Sequence, residues 1–256
     1  MKVVLSLGRL HPLKGLDLLV SAWAEVVRSS KVLKCESAKV ADECTDTGMH
    51  AKNFRTLELP NFRTSSWQLV IAGPDEQGTK EKLKRQSETL KLKWCECAGM
   101  DACECEADII FVGSVQGEEK WALMHRADIF MLPSRSENFG MVVGEALSCG
   151  VPVVTTAVGP WGESGEVLKF ESSKVLKFES SKARRGDELP LARVDEKRGL
   201  IIVETSAEGI SEGLRRMMAL SDAERKEMGR QGCEWVKREF NWESVAKQML
   251  EAYGSA

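Results

Sequence analysis

Short apolar runs alternate with amphipathic stretches along most of this chain, and that alternation restricts its fold more than any single motif. Lys2 to Leu10 reads as a buried strand, after which Leu16, Leu19, Val20, Trp23 and Val27 share one helical face over Leu16 to Val27. Further strands are expected at Trp67 to Gly73, Ile109 to Gly113, Ile129 to Pro133, Val151 to Thr155 and Gly199 to Val203. Between them fall helical patterns at Thr79 to Lys91, Glu118 to Arg126 and Gly140 to Cys149. From Ala207 to Tyr253 the chain reads as helical, with N-cap breaks near Ser221 and Asn241. Strands that are apolar on both faces need helices on both sides, so a doubly wound, parallel α/β sheet is expected. Such sheets bind ligands at the carboxyl ends of their strands, here just after Leu7, Ala72, Val112, Leu132 and Thr155.

At 256 residues a single core is large enough to need no disulfide framework. Lys and Arg number 36 against 39 Asp and Glu, with the signs interspersed, which argues against a nucleic-acid partner while allowing a local cationic cleft. The longest apolar runs are strand-sized, short of the ~20 residues of a transmembrane helix, and Val3 to Leu7 is too short for a signal-peptide core. A cytoplasmic location is therefore expected, with peripheral attachment to the inner membrane face still allowed. In that compartment the eight cysteines read as reduced thiols.

Three segments break the pattern and read as surface insertions on a single domain: residues 31–64, 94–107 and 160–198. The last contains Val-Leu-Lys-Phe-Glu-Ser-Ser-Lys twice in tandem, from Val167 and from Val175, and Val32 to Lys39 is an imperfect copy. A period of eight matches neither a heptad nor a solenoid repeat, and so few copies cannot build a core.

Two segments carry chemistry. The first, Gly8-Arg9-Leu10-His11-Pro12-Leu13-Lys14-Gly15, follows the first strand and offers a planar guanidinium and a point charge to an anion. A strand-to-helix turn with solvated basic residues would look the same. The second, Pro133 to Leu147, carries Glu137 on a loop, Gly140 and Met141 at a helix start, and Glu145 among apolar residues, where a carboxylate needs a partner. Together with Leu-Val-Ile-Ala-Gly-Pro (69–74), Phe-Val-Gly (111–113), Ala-Asp-Ile-Phe-Met-Leu-Pro-Ser (127–134) and Cys-Gly-Val-Pro-Val-Val-Thr-Thr (149–156), these phrases resemble a known family. The chain is similar to the C-terminal, donor-binding, Rossmann-like half of a GT-B glycosyltransferase of family GT4.

The resemblance implies transfer of a hexose from a nucleotide diphosphate sugar to an acceptor hydroxyl, with retention, and no cofactor. Arg9 and Lys14 would hold the donor diphosphate beside Gly8, Glu145 the ribose, and Glu137 the transferred sugar. The chain around Asn138, Phe139, Gly140 and Met141 would contact sugar or phosphate. No Asp-x-Asp motif occurs, so a metal-independent reaction is expected. The expected partners are the nucleotide-sugar donor and a carbohydrate or lipid-linked acceptor; since this chain starts at the donor domain's first strand, either the N-terminal acceptor domain is a separate domain or subunit, or this chain is a fragment or truncated gene product. A non-catalytic nucleotide-sugar-binding module would share every one of these motifs. Cys95, Cys97, Cys103 and Cys105 could wrap a soft metal, but Cys-x-Cys spacing is tighter than structural zinc sites use, and a solvated loop fits equally well.

Overall fold

The computed structural model describes residues 1–42, with side chains as far as 29, together with 67–97, 106–159, 161, 192–241, 243 and 246. Its strands are β1 (Lys2–Leu7), β2 (Trp67–Ala72), β3 (Trp94–Cys97), β4 (Ile109–Val112), β5 (Ile129–Leu132), β6 (Val153–Thr156), β7 (Ala192–Asp195) and β8 (Leu200–Val203). They form one sheet in the order β3-β4-β2-β1-β5-β6-β8-β7, parallel throughout except for the β7–β8 pair. The helices are α1 (Leu16–Asp42), α2 (Thr79–Thr89), α3 (Gly117–Arg126), α4 (Met141–Ser148), α5 (Ala207–Ala219) and α6 (Asp222–Glu239).

Successive strand residues face opposite ways, so β1 sends Val4 into one core and Val3 and Leu5 into the other. Leu19 and Trp23 of α1 close the first core with Leu214 and Met217 of α5. Met124 of α3, Val143 and Leu147 of α4 and Trp235 of α6 close the second. The doubly wound sheet expected from the apolar runs is the fold observed. Ser221 caps α6 through a reciprocal capping box with Glu224, at the break expected there.

Several boundaries need correction. β1 stops at Leu7, and Leu10 rejoins the sheet only as a single bridge to Asp75. Helix α1 runs on to Asp42, into the segment read as the first insertion. Trp94–Cys97 and Ala192–Asp195, also read as inserted, are the two edge strands of the sheet. An edge strand is covered incompletely, and neither of these shows the continuous burial of the inner strands. The tandem repeats and the expected last helix beyond Asn241 fall almost wholly outside the described residues.

The strand order places β1 between β2 and β5, so the connections leaving β1 and β5 depart in opposite directions. This is the topological switch point of the sheet, where a crevice opens at the strands' carboxyl ends.

Candidate functional site

The two chemically loaded segments leave β1 and β5 and meet across that crevice. After β1 the chain makes a 3-10 turn, Pro12–Lys14, capped by His11, whose Nδ1 accepts from the Leu13 N–H at 3.2 Å. The other ring nitrogen lies 3.2 Å from Gln77 Nε2, so the imidazole is engaged within the loops. Gly15 follows with φ 62°, and a Cβ there would stand 2.0 Å from the Pro133 carbonyl oxygen. Only glycine lets the β1 and β5 loops approach this closely. Arg135 fastens them: its N–H donates to Leu13 O at 2.8 Å, and its guanidinium grips both Asp17 oxygens at 2.6 Å. That guanidinium holds the Asp17 carboxyl below its ordinary range, chiefly by hydrogen bonding, against the opposing effect of burial.

Within this frame Lys14 Nζ lies 2.6 Å from Glu137 Oε2, with only 21% of the lysine side chain and 13% of the glutamate exposed. Buried Ser134 donates from Oγ to the same carboxylate oxygen at 3.1 Å, and buried Thr156 donates to the Ser134 carbonyl at 2.6 Å. Glu137 thus sits at the end of a hydrogen-bonded chain that starts on β6. Arg9 is far more open, 64% exposed, and reaches the Glu76 carboxylate at 3.3 Å. Gly8, Arg9 and Lys14 line a shallow hollow of about 10 Å³, room for one water molecule, with Leu132 and Pro133. An open cleft of about 470 Å³ lies past the ends of β2 and β4, bounded by Gly73, Asp75, Lys80, Phe111 and Gly113 among others.

On the β5 side, Gly140 adopts φ 67° and begins α4 with no side chain capping it. Asn138 and Met141 are exposed, and Phe139 is half-buried against Trp161 and Phe240. Glu145 finds the partner that its apolar helix requires in Lys120 of α3, whose Nζ is 2.7 Å from Oε1. Each residue expected at the site from Gly8 to Met141 therefore gathers at the switch point, with Glu145 in the second turn of the helix that starts there.

Sequence reasoning missed Ser134, Lys120, Glu76 and Trp161. Lys120 had one detectable signal, a lone cation behind Glu118 and Glu119 in the first turn of a helix. The other three depend on loops meeting in space.

The cysteine cluster is corrected. β3 places Cys95 and Cys97 two residues apart on one strand, with their Sγ atoms 3.8 Å apart, instead of in a solvated loop. Cys95 is disulfide-bonded, which removes it from any set of reduced thiolate ligands and departs from the expectation of reduced thiols. Among the described residues no group of three or more His, Cys, Asp or Glu is placed to hold a metal; Cys103 and Cys105 lie outside them. No described helix is long and apolar enough to cross a membrane.

Comparison with known proteins places these features. The family model described as glycosyl transferases group 1 matches residues 51–164. The chain is 26% identical over 254 residues to a D-inositol 3-phosphate glycosyltransferase of Salinispora tropica, covering 99% of this chain and 38% of that protein. Among solved structures it resembles HepE of Anabaena in complex with UDP and glucose, at TM-score 0.58 and 17% identity, over 99% of this chain and 48% of that one. It also resembles the C-terminal domain of the group 1 glycosyl transferase LpcC of Francisella tularensis, at TM-score 0.55 and 16% identity, over 94% of this chain and 87% of that one. The chain thus spans about two fifths of the curated relative and most of an isolated C-terminal domain.

Proposed function

We propose that the chain, whose residues 51–164 match the family model of glycosyl transferases group 1, is the donor-binding domain of a hexosyltransferase. In this reading it binds a nucleotide diphosphate sugar whose hexose passes, with retention and without a metal ion, to an acceptor hydroxyl presented by another domain or subunit. The observation that carries the reading is the convergence of Arg9, Lys14, Glu137 and the start of α4 at the switch point. That a structural neighbour is recorded with UDP and glucose agrees with this donor class.

The chemistry follows from charge. When the glycosidic C–O bond breaks, its electron pair stays on the departing diphosphate, and the negative charge that grows there must be met. Arg9, Lys14 and the amides at the N-terminus of α4 supply fixed positive potential in a crevice walled by protein, which is what a metal would otherwise provide. In the ligand-free chain Lys14 is engaged by Glu137. An arriving diphosphate carries more charge than one carboxylate and draws the ammonium away. Glu137, still bonded to Ser134, then has an oxygen released to accept hydroxyl protons of the sugar. Glu145, steadied by Lys120 at one oxygen, keeps the other for the ribose diol. The cleft beyond β2 and β4 has room for the nucleoside base.

Titration calorimetry against UDP-, GDP- and ADP-sugars tests this. At least one binds, and Lys14→Ala weakens that binding about 10- to 100-fold through loss of a charge-assisted contact. Absence of binding to all three classes contradicts the reading. A non-catalytic binding module is separated by a second assay: release of nucleotide diphosphate in the presence of an acceptor extract excludes it.

A further inference from the structure

We propose that Trp161 is a positioning residue for Glu137, acting through Phe139 and Gly140; this rests on the donor-domain reading above. Trp161 is 2% exposed, yet its indole N–H is spent on a single acceptor, the Phe139 carbonyl. A trans peptide is planar, so holding that oxygen against the indole fixes the orientation of the whole 139–140 link, including the direction of the Gly140 N–H. Gly140 is in turn wedged between Trp161 and Glu137. A Cβ built on it would lie 2.9 Å from the indole nitrogen and 3.1 Å from Glu137 Cγ. Gly159 also presses on Glu137, where a Cβ would stand 3.0 Å from the Glu137 carbonyl oxygen and 3.6 Å from its Cβ. Two glycine backbones therefore confine Glu137, and Trp161 sets the position of one of them.

The anchor is itself held. The Trp161 ring packs on Phe139, Trp235 and Phe240 at centroid separations of 5.6, 5.9 and 5.7 Å. Trp235 belongs to α6 and Phe240 ends it, so the loop bearing Glu137 is referenced to a helix that supplies no residue of the site. Packing alone would be met by any large apolar ring. Only an indole also supplies the N–H that the Phe139 carbonyl accepts. The consequence for function is graded: the loop affects the sugar end of the donor, through Glu137, more than the diphosphate end, which Arg9 and Lys14 also hold from the β1 side.

Trp161→Phe keeps a ring in the cluster and removes the donor. In the variant, hydrogen exchange at the Val143 amide, which donates to the Gly140 carbonyl at 2.9 Å, is expected to quicken about three- to tenfold, while the melting temperature falls by only a few degrees. Calorimetry with UDP and UDP-glucose, GDP and GDP-mannose, and ADP and ADP-glucose then compares sugar-bearing with bare nucleotide. For the pair that binds, the affinity ratio of sugar nucleotide to diphosphate falls about three- to tenfold. Unchanged exchange overturns the proposal whatever the ligand, and so does an unchanged ratio in a pair that the wild type binds. If the wild type binds none of the six, the donor-domain reading fails, and the exchange rates still decide whether Trp161 anchors the loop.

Discussion

At the scale of single residues, exposure ranks the two cations of the site. Lys14 is mostly enclosed and Arg9 mostly open, so solvent and salt screen Arg9 far more. Arg9→Ala is therefore expected to weaken nucleotide binding less than Lys14→Ala, and its effect should shrink as salt rises from about 0.05 to 0.5 M. Calorimetry at both ionic strengths checks this; equal, salt-independent losses would contradict it. Glu145→Ala should cost about 1 to 3 kcal/mol of nucleotide affinity, the worth of charge-assisted hydrogen bonds. Asp17 gives a pH prediction. Its folded carboxyl titrates below the unfolded value of 3.8, so the folded state binds this proton less readily than the unfolded state does. Its contribution is complete well above 3.8 and is lost as pH falls through the lower folded value. Melting temperatures of wild type and Asp17→Asn should therefore converge as pH drops below about 4 and diverge above it. The residue types at the site were readable because strand ends locate them, whereas their pairings were not. Lys14 and Glu137 stand 123 positions apart, and only the strand order brings them within bonding distance.

At the scale of elements, legibility followed burial. The inner strands carry apolar side chains on both faces, so their runs stand out and their bounds were readable to within a few residues. β3, with the sequence Trp-Cys-Glu-Cys, and β7, with Ala-Arg-Val-Asp, lie at the edges, where half-covered side chains leave no apolar run to detect. The later turns of α1 escaped notice because the apolar spacing ends at Val27, and helical backbone without a regular apolar stripe has no period to read. The start of α6 was legible because its cap is chemical: Ser221 and Glu224 at capping-box spacing. Ser221→Ala is expected to cost about 1 kcal/mol of stability, seen as a lower denaturant midpoint with an unchanged slope. No shift in midpoint would mean that the box is not made in solution. The junction of the β1 and β5 loops is less forgiving. Gly15→Ala places a methyl against the Pro133 carbonyl at a positive φ and should destabilise the fold by about 2 kcal/mol or more, by the same measurement.

At the scale of the whole molecule, the sheet divides labour. Two cores, one on each face, hold the strands, and the crevice at their carboxyl ends is assembled by loops that leave β1 and β5 in opposite directions. The near balance of charge in the full chain therefore conceals a local arrangement: two lysines each set against a glutamate, and an exposed arginine beside them. In the proposed function those pairs hold the carboxylates in place until a more highly charged anion competes for Lys14. The proposed function requires a nucleotide diphosphate to bind at the switch point and take Lys14 from Glu137. A crystal structure of the chain with the nucleotide diphosphate that calorimetry selects measures this directly. The predicted result has the diphosphate within hydrogen-bonding distance of Lys14 and Arg9, with Lys14 and Glu137 parted; a nucleotide bound elsewhere, with that pair intact, would contradict the account.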